Sequence, residues 1–291
     1  MQSVLWSLEH VSLGADDRRR LDDVSVSILP GRTAVLGESG AGKTSLLNLL
    51  VEFDRPTRGT IQSHVGPNLS WVPPDHGLWP RSTVRQHLEA VCPGAVDANS
   101  SVDHWLKSFA LESVAKRYPS TLSMGERSRL AVARSLASQA VAYVMDEPLA
   151  NVDSARLPEF WSVLRESLQQ TESSLVFATH SAETVLAEAD QVICLDGGRL
   201  VWQGAVRELY DSPPDERTAR FLGPVNWFEG IEAATWLEGL PPQKTCYRPE
   251  QLAVLPDESG KAVVEEVRFA GSLEEVRLGS MDNSLQKTVY H

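Results

Sequence analysis

Cysteine is scarce in this chain, and long hydrophobic runs are absent from its sequence. The 291 residues include three cysteines, Cys92, Cys194 and Cys246, which are too few and too widely spaced to indicate a disulfide framework or a cysteine metal site. No stretch of about 18 apolar residues occurs, and residues 1–14 lack the basic segment followed by an apolar one that is typical of a secretory leader. We therefore expect a reducing compartment, and we expect any membrane association to depend on a partner chain.

Basic charge is also in deficit. The 27 Lys and Arg residues are outnumbered by 39 Asp and Glu residues, for a net charge of −12. A nucleic-acid partner needs a basic surface that neutralises phosphates, so this balance argues against one. With 42% hydrophobic and 23% charged residues the composition is that of a globular protein, and the length suits one large domain plus a small one.

The glycine loop, residues 37–44, has the sequence GESGAGKT. The apolar run Thr33 to Leu36 precedes it and a leucine-rich stretch follows it, which is the strand, loop and helix context of a phosphate-binding loop. Backbone amides of such a loop surround phosphate oxygens, its lysine offers a charge to the β and γ phosphates, and its threonine offers a hydroxyl to Mg2+. The alternative is a plain glycine-rich turn. The predicted nucleotide contacts are Gly37, Glu38, Ser39, Gly40, Ala41, Gly42, Lys43, Thr44 and Ser45.

A second apolar run of strand length, Val141 to Met145, ends in the carboxylates Asp146 and Glu147. Open α/β sheets bind ligands at the C-terminal ends of their parallel strands. Asp146 is therefore predicted to hold Mg2+ together with Thr44, directly or through water. Glu147 is predicted to orient or deprotonate the attacking water, which contributes roughly a hundred- to ten-thousand-fold in rate. The alternative is that two acids merely end a strand.

Two further segments are ambiguous by themselves. A third apolar run ends in His180, which alone would be interpreted as a boundary histidine of a strand. Residues 122–126, the LSMGE segment, place Ser123 and Glu126 at the spacing of a capping box at a helix start. A helix start with a small serine and with Gly125 can also present free N–H groups to an anion.

The order of these segments resembles that of the ATP-binding subunit of ATP-binding cassette (ABC) transporters. The resemblance covers residues 1 to about 223 and rests on the glycine loop, LSMGE, Asp146-Glu147, Ala150-Asn151-Val152-Asp153 and Thr179-His180, in that order. It implies ATP and Mg2+ as ligands and an α/β fold of the P-loop ABC type, with a mixed sheet core, an antiparallel N-terminal subdomain and a helical insertion at about residues 76–121.

The resemblance also implies how the site works. ATP on the glycine loop of one subunit is closed over by Ser123, Gly125 and Glu126 of a second copy, so that ATP holds a head-to-tail homodimer together. Asp153 matches the loop that communicates between the two sites, and His180 matches a histidine that contacts the γ phosphate. Hydrolysis then releases the dimer, and the predicted catalytic residues are Glu147, His180 and Lys43.

Residues 224–291 are expected to form a small accessory domain. Arg248 to Val254, Ala262 to Val267 and Glu274 to Leu278 are short β-like runs separated by Gly, Pro and Asp. They resemble the C-terminal oligonucleotide-fold-like (TOBE-like) barrel of many ABC importer ATPases, and the alternative is a generic small β appendix. The match implies an importer subunit for oxyanions, ferric iron, polyamines or sugars, bound to integral-membrane permease subunits at the cytoplasmic face of the inner membrane.

The chain departs from the family pattern in two places. The family has a glutamine at the end of the strand that leads into the helical insertion, where this chain has Pro74, which offers no side-chain oxygen. We hypothesise that Asp75 supplies an oxygen ligand instead, or that this loop is stiffer than usual. The family also stacks adenine on an aromatic side chain that is missing here, so Leu13 or an arginine among residues 18–20 would cover the base, unless those arginines form only a solvated turn.

Two other functions remain open from the sequence. One is a nucleotide-binding regulatory ABC protein with weak hydrolysis, which Pro74 and the missing aromatic residue favour. The other is a soluble ABC ATPase outside transport, which the acidic charge, the single cassette and the absence of a coiled-coil insertion disfavour. Because Lys43, Glu147 and His180 are all present, we expect active hydrolysis.

Overall fold

The computed structural model describes most of the chain: residues 4–15, 19–92, 98–229, 245–255, 262–281 and 285–291, with residues 233, 236, 237, 257, 258 and 260. Contacts within the chain define two compact units, Met1–Val206 and Arg207–His291. The domain boundary placed at residue 223 from the sequence stays a prediction. Within the described ranges, no helix has both the length and the apolar character needed to cross a bilayer.

An antiparallel three-stranded sheet opens the first unit. The strand β1 (Trp6–Leu13) lies between β2 (Leu21–Ile28) and β4 (Arg58–Ser63). Along β2 the buried and exposed residues alternate, which is the half-exposed pattern that the sequence predicts. The expected antiparallel N-terminal subdomain is confirmed.

A six-stranded sheet lies at the centre of the first unit. Its strands, in order across the sheet, are β5 (Leu69–Val72), β6 (Ala142–Asp146), β7 (Ser174–Thr179), β3 (Arg32–Leu36), β8 (Gln191–Asp196) and β9 (Arg199–Ala205). The first five strands are parallel, and β9 pairs antiparallel with β8. The strands β3, β6 and β7 are almost wholly buried, which explains their continuous apolar runs. The expected mixed sheet core is therefore confirmed.

The described residues of this unit form six helices. They are α1 (Lys43–Leu50), α2 (Val84–Glu89), α3 (Ala98–Ser108), α4 (Met124–Ala137), α5 (Leu157–Thr171) and α6 (Ala182–Glu188). Of these, α1, α4 and α6 pack on strands of the central sheet. Two short 3-10 turns, Glu112–Val114 and Pro119–Thr121, connect α3 to α4. A helical insertion is present as expected and comprises α2, α3 and these turns, while its bounds at about residues 76–121 stay a prediction.

The core of the first unit fixes α1 against both sheets. Trp6 is fully buried, and its Nε1 donates to the carbonyl oxygen of Leu50 at 3.1 Å, so β1 holds the C-terminal end of α1. Leu46 and Leu47 pack in the same apolar cluster as Val144 of β6. Because α1 begins at the end of the glycine loop, this packing holds the loop over the carboxyl ends of the central strands.

The second unit contains short helices and a small antiparallel β region. After α7 (Val206–Asp211) and α8 (Glu216–Arg220) come a two-stranded and a three-stranded sheet, formed by β10 (Asn226–Trp227), β11 (Cys246–Tyr247), β12 (Ala262–Phe269), β13 (Glu274–Ser280) and β14 (Gln286–Tyr290). A small C-terminal β domain is confirmed, whereas a TOBE-like barrel stays a prediction.

One expected β-like run of this unit is wrong in part. Within Arg248 to Val254, residues Pro249–Gln251 form a 3-10 turn rather than a strand. Proline lacks an N–H and its fixed φ suits the first position of a helical turn, while the Gln251 side chain accepts from the Arg248 backbone N–H at 3.2 Å. Arg248 itself is buried, and its guanidinium donates to the carbonyl oxygens of Tyr210 and Ala219, both at 3.1 Å.

A salt bridge between α5 and α6 offers a test of the packing. Arg165 Nη1 lies 2.6 Å from both carboxylate oxygens of Glu188, which is only 5% exposed. Arg165→Ala would leave a buried carboxylate without its cation, and we expect a loss of about 2 kcal/mol in the free energy of unfolding by urea. The matched control, Arg207→Ala, removes a surface pair with Asp211 and should change stability little. Equal effects of the two substitutions would contradict this account.

Candidate nucleotide site

The glycine loop requires glycine at two close approaches. Gly42, at the start of α1, has φ 103°, and a Cβ there would lie 2.7 Å from the Arg20 carbonyl oxygen. A Cβ on Gly37 would overlap the carbonyl oxygen of Leu195 in β8. Lys43 Nζ donates to the carbonyl oxygens of Gly37 at 2.8 Å and Glu38 at 3.0 Å, so the ammonium group lies within the loop.

Thr44 and Asp146 meet at the edge of the sheet. Thr44 Oγ1 donates to Asp146 Oδ2 at 2.5 Å, although the two residues are 102 positions apart. Burial raises the pKa of the Asp146 carboxyl group above its ordinary value, and the hydrogen bond from Thr44 opposes this shift. A cation beside the buried carboxylate would therefore stabilise its ionised form.

The Thr44 hydroxyl and the Asp146 carboxylate fit a magnesium ion. Mg2+ prefers oxygen ligands and is commonly bound by one or two protein oxygens, with phosphate and water supplying the rest. Among the described residues, no cluster of three or more His, Cys, Asp and Glu side chains could enclose a metal by itself. These two side chains can thus supply the protein ligands while a nucleotide supplies others.

Glu147 and His180 form a pair beside Asp146. His180 Nδ1 lies 2.8 Å from Glu147 Oε1, and the backbone N–H of Glu147 donates to the carbonyl oxygen of Ala178 on β7 at 3.0 Å. Glu147 has φ 48°, in the left-handed region that costs a residue other than glycine about 1 kcal/mol or more. Such strain is typical of functional sites.

The LSMGE segment begins α4 with a capping box. Ser123 Oγ accepts from the Glu126 N–H at 3.2 Å, and Glu126 Oε2 accepts from the Ser123 N–H at 2.7 Å. The bond from the Ser123 backbone holds the pKa of Glu126 below its ordinary value. The local interpretation as a capping box is confirmed, and Ser123 remains exposed at the helix start.

Gly125 allows the segment 150–153 to approach α4 closely. A Cβ on Gly125 would lie 2.7 Å from the Asn151 carbonyl oxygen. In the same segment Asp153 Oδ1 accepts from the Ala155 N–H at 2.8 Å, which fixes the turn into α5. A cavity of about 470 Å³ opens here, lined by Ser123, Met124, Gly125, Arg129, Asn151, Val152, Asp153, Arg156 and Phe160.

The predicted site residues therefore form two groups within one chain. The loop half-site comprises the glycine loop, Asp146, Glu147 and His180; the LSMGE half-site comprises Ser123, Gly125, Glu126 and Asp153. The helix α1 packs on β4, β6 and β7, whereas α4 packs on α2, α3, α5 and β5. No glycine-loop residue lines the cavity at Ser123. One chain thus presents two different surfaces to a nucleotide.

The loop after β5 is held by Arg134 of α4, a residue that no sequence motif marks as part of the site. Arg134 donates to the carbonyl oxygens of Gly77 at 2.7 Å and His76 at 3.2 Å, and His76 has φ 68°. Asp75 Oδ1 accepts from the Gly77 N–H at 3.0 Å. These bonds agree with a stiff loop after Pro74, whereas Asp75 as a metal ligand stays a prediction. The available signal was the position of Arg134 within the apolar stretch Leu130 to Ala137 of α4.

The side chains expected to cover the base have partners of their own. Arg20 pairs with Asp54 at 3.1 Å, Arg19 pairs with Asp22, and Leu13 is buried. Arg18 lies outside the described residues. A stacking role for Leu13 or for these arginines stays a prediction.

The fold and the glycine loop define a P-loop nucleotide-binding cassette, and comparisons with known proteins agree. Residues 21–150 match the ABC transporter family model. The chain is 32% identical to a ferric-iron import ATP-binding protein of Pseudomonas fluorescens, with 89% of this chain and 82% of the relative covered. It is also 32% identical to the putrescine transport ATP-binding protein PotG of Escherichia coli, with 81% of this chain and 66% of the relative covered.

A solved structure of 24% sequence identity has the same fold. The cbiO1 protein from Clostridium perfringens superposes with a TM-score of 0.61 over 72% of this chain and 92% of its own. The chain belongs to the ABC transporter ATP-binding proteins of the importer type. These comparisons confirm the expected family, the expected fold class and the expected ATPase activity with ATP as ligand.

Replacing Asp146 is expected to raise the stability of the metal-free chain and to abolish its ATP turnover. Because burial raises the pKa of Asp146 above 3.8, its ionised form costs folding free energy, and this cost grows as the pH rises through 3.8 and persists at neutral pH. Asp146→Asn keeps an acceptor for Thr44 without the charge. Without metal, we expect the variant to unfold at higher urea concentration than the parent at neutral pH, with the difference vanishing as the pH falls toward 3.8, while magnesium-dependent ATP turnover is lost.

The same substitution at an exposed carboxylate serves as the control. Asp211→Asn, on the surface of α7, should change neither metal-free stability nor turnover. A less stable Asp146→Asn chain at neutral pH, or one that retains magnesium-dependent turnover, would be incompatible with the proposed role of this carboxylate.

Proposed function

We propose that this ATPase energises solute uptake through an ATP-driven homodimer, in which the loop half-site of one copy and the LSMGE half-site of the other enclose each nucleotide. The observation that carries the proposal is the presence of both half-sites on separate surfaces of one chain. A head-to-tail pair brings two loop half-sites against two LSMGE half-sites, which closes both nucleotide sites with the same contacts.

The loop half-site has the groups that phosphoryl transfer to water needs. The backbone amides of residues 37–44 and the Lys43 ammonium bind the phosphates, and Thr44 and Asp146 would hold Mg2+, which neutralises phosphate charge when bound. Glu147 is the group that accepts a proton from water or orients it. The 2.8 Å contact with His180 fixes the Glu147 carboxylate, and His180 is 72% exposed, so it can also reach the γ phosphate.

The LSMGE half-site offers hydrogen-bond donors across the dimer. Ser123 and the first N–H groups of α4 form the positive end of a helix of 14 residues, where an anion is stabilised. Because Gly125 has no side chain, residues 150–153 can pack directly against this end of the helix. Asp153 holds the turn of that segment. The α4 N-terminus and residues 150–153, which would both contact the second copy, are therefore held together.

Transport needs a path through the bilayer, and no helix in the described part of the chain is long and apolar enough to cross it. We propose integral-membrane permease subunits as the partners that supply this path, which would place the chain at the cytoplasmic face of the inner membrane. The relatives are named for ferric iron and putrescine, which supports the ferric-iron and polyamine members of the expected range of oxyanions, ferric iron, polyamines and sugars. Co-purification with a permease separates transport from a soluble ABC function, and measurable turnover separates it from a regulatory protein with weak hydrolysis.

Glu147→Gln tests whether Glu147 is needed for hydrolysis but not for ATP binding. The amide cannot accept the proton, so we expect phosphate release to fall by roughly a hundred- to ten-thousand-fold. ATP should still bind, because the phosphate contacts remain, and the uncleaved nucleotide should hold two copies together. Sedimentation velocity with and without ATP measures the dimer.

Glu183→Gln is the matched control, since this exposed carboxylate lies in the first turn of α6, three residues after His180. The control should hydrolyse ATP like the parent and form only a transient dimer. Unchanged turnover in Glu147→Gln would refute Glu147 as the base. A chain that stays monomeric with ATP in both variants would refute the homodimer.

A further inference from the structure

The cavity beside Ser123 extends beyond the residues that the LSMGE half-site assigns to the nucleotide. It continues from Ser123 and Gly125 to two arginines, Arg129 on α4 and Arg156 at the start of α5. Neither arginine has a role in the site described so far. The cavity, with a volume of about 470 Å³, is large enough for a ligand group rather than a single water molecule.

An aromatic platform holds both guanidinium groups. Arg156 Cζ lies 5.0 Å and Arg129 Cζ lies 5.4 Å from the centroid of the Phe160 ring. Phe160 is fully buried and stacks on Phe109, with ring centroids 5.8 Å apart and ring planes 10° from parallel. A cation over an aromatic face is stabilised by the ring, so the arginines are preorganised at the cavity wall.

The two arginines differ in what else they contact. Arg129 Nη1 donates to the carbonyl oxygens of Phe109 at 2.5 Å and Ala110 at 2.8 Å, which anchors it at the end of α3. Arg156 contacts Glu159 at 3.3 Å, in a pair whose side chains are 46% and 58% exposed. Such a surface pair holds its partners weakly, so the Arg156 guanidinium is available to a stronger anion.

The acids around the cavity are already engaged. Asp153 accepts from the Ala155 N–H, Glu126 accepts from the Ser123 N–H, and Glu159 is the weak partner of Arg156. Burial and then the charge of Arg156 lower the pKa of Arg129, while Glu126 and Glu159 oppose this shift. An anion bound between the α4 N-terminus and Arg156 would relieve the mutual repulsion of the two cations.

We propose that Arg156, anchored beside Arg129, binds the triphosphate of the nucleotide that the second copy of the chain holds in its glycine loop. This inference rests on the proposed ATP-bound homodimer. The planar guanidinium can bind phosphate oxygens in a bidentate manner. Arg156 lines the same cavity as Ser123 and Gly125, so the nucleotide would contact the helix N-terminus and the cation together.

The test is made in the Glu147→Gln background, where ATP is not consumed. Sedimentation velocity gives the MgATP concentration at which half of the chain is dimeric. For the double variant E147Q/R156Q we expect this concentration to rise about tenfold and to depend less on salt, because one charge-assisted contact is lost across the interface. E147Q/R156K should lie between the two, since lysine keeps the charge without the bidentate geometry.

Two measurements separate this role from a structural one. ADP binding to the monomer, measured by calorimetry, tests the glycine loop of the same copy and should not change in E147Q/R156Q. The matched control E147Q/R207Q makes the same substitution at an arginine that is 91% exposed on α7, and it should dimerise like E147Q.

The possible results are distinguishable. If E147Q dimerises with ATP and E147Q/R156Q does so at the same MgATP concentration, the role of Arg156 is overturned while the homodimer stands. If E147Q itself stays monomeric with ATP, the proposed function and this inference both fail. Weaker dimerisation together with weaker ADP binding in E147Q/R156Q would show a general structural defect and would also overturn the inference.

Discussion

The parallel pairing of β6, β7 and β3 is the constraint on which the loop half-site depends. In this register Asp146 lies opposite Ala178, and Leu36 lies opposite Thr179. The last residues of three strands that are far apart in sequence therefore end at one edge of the sheet. Thr44 reaches Asp146, and Glu147 reaches His180, only because this edge is shared. Burial of the strands on both faces keeps the edge in place.

The helix α4 connects the other functional surfaces. Its N-terminus carries Ser123, and Arg134 in its last turn holds the loop after β5 through the carbonyl oxygens of His76 and Gly77. A helix of 14 residues is about 21 Å long and rigid on this scale. The Arg134 side chain thus links the helix that begins at Ser123 to the loop after Pro74 through two backbone carbonyl oxygens.

Much of the fold and of the loop half-site could be predicted because each motif is contiguous and stands in a recognisable strand or helix context. The capping box at Ser123 and the apolar runs of β3, β6 and β7 are local signals of this kind. Contacts across the fold have no such signal: neither the approach of Asn151 to Gly125 nor the stacking of Arg129 on Phe160 is visible in the sequence. The turn at Pro249 was missed because an apolar run outweighed the helical preference of its proline.

The central claim is that each nucleotide site is completed by a second copy of the chain. Mixing two inactive variants, Lys43→Ala and Ser123→Arg, tests it most directly, because each variant damages a different half-site. In a head-to-tail heterodimer one site combines the intact glycine loop of the Ser123→Arg chain with the intact LSMGE segment of the Lys43→Ala chain. The account predicts that ATP turnover returns on mixing, with neither variant active alone. A mixture as inactive as its components would contradict it.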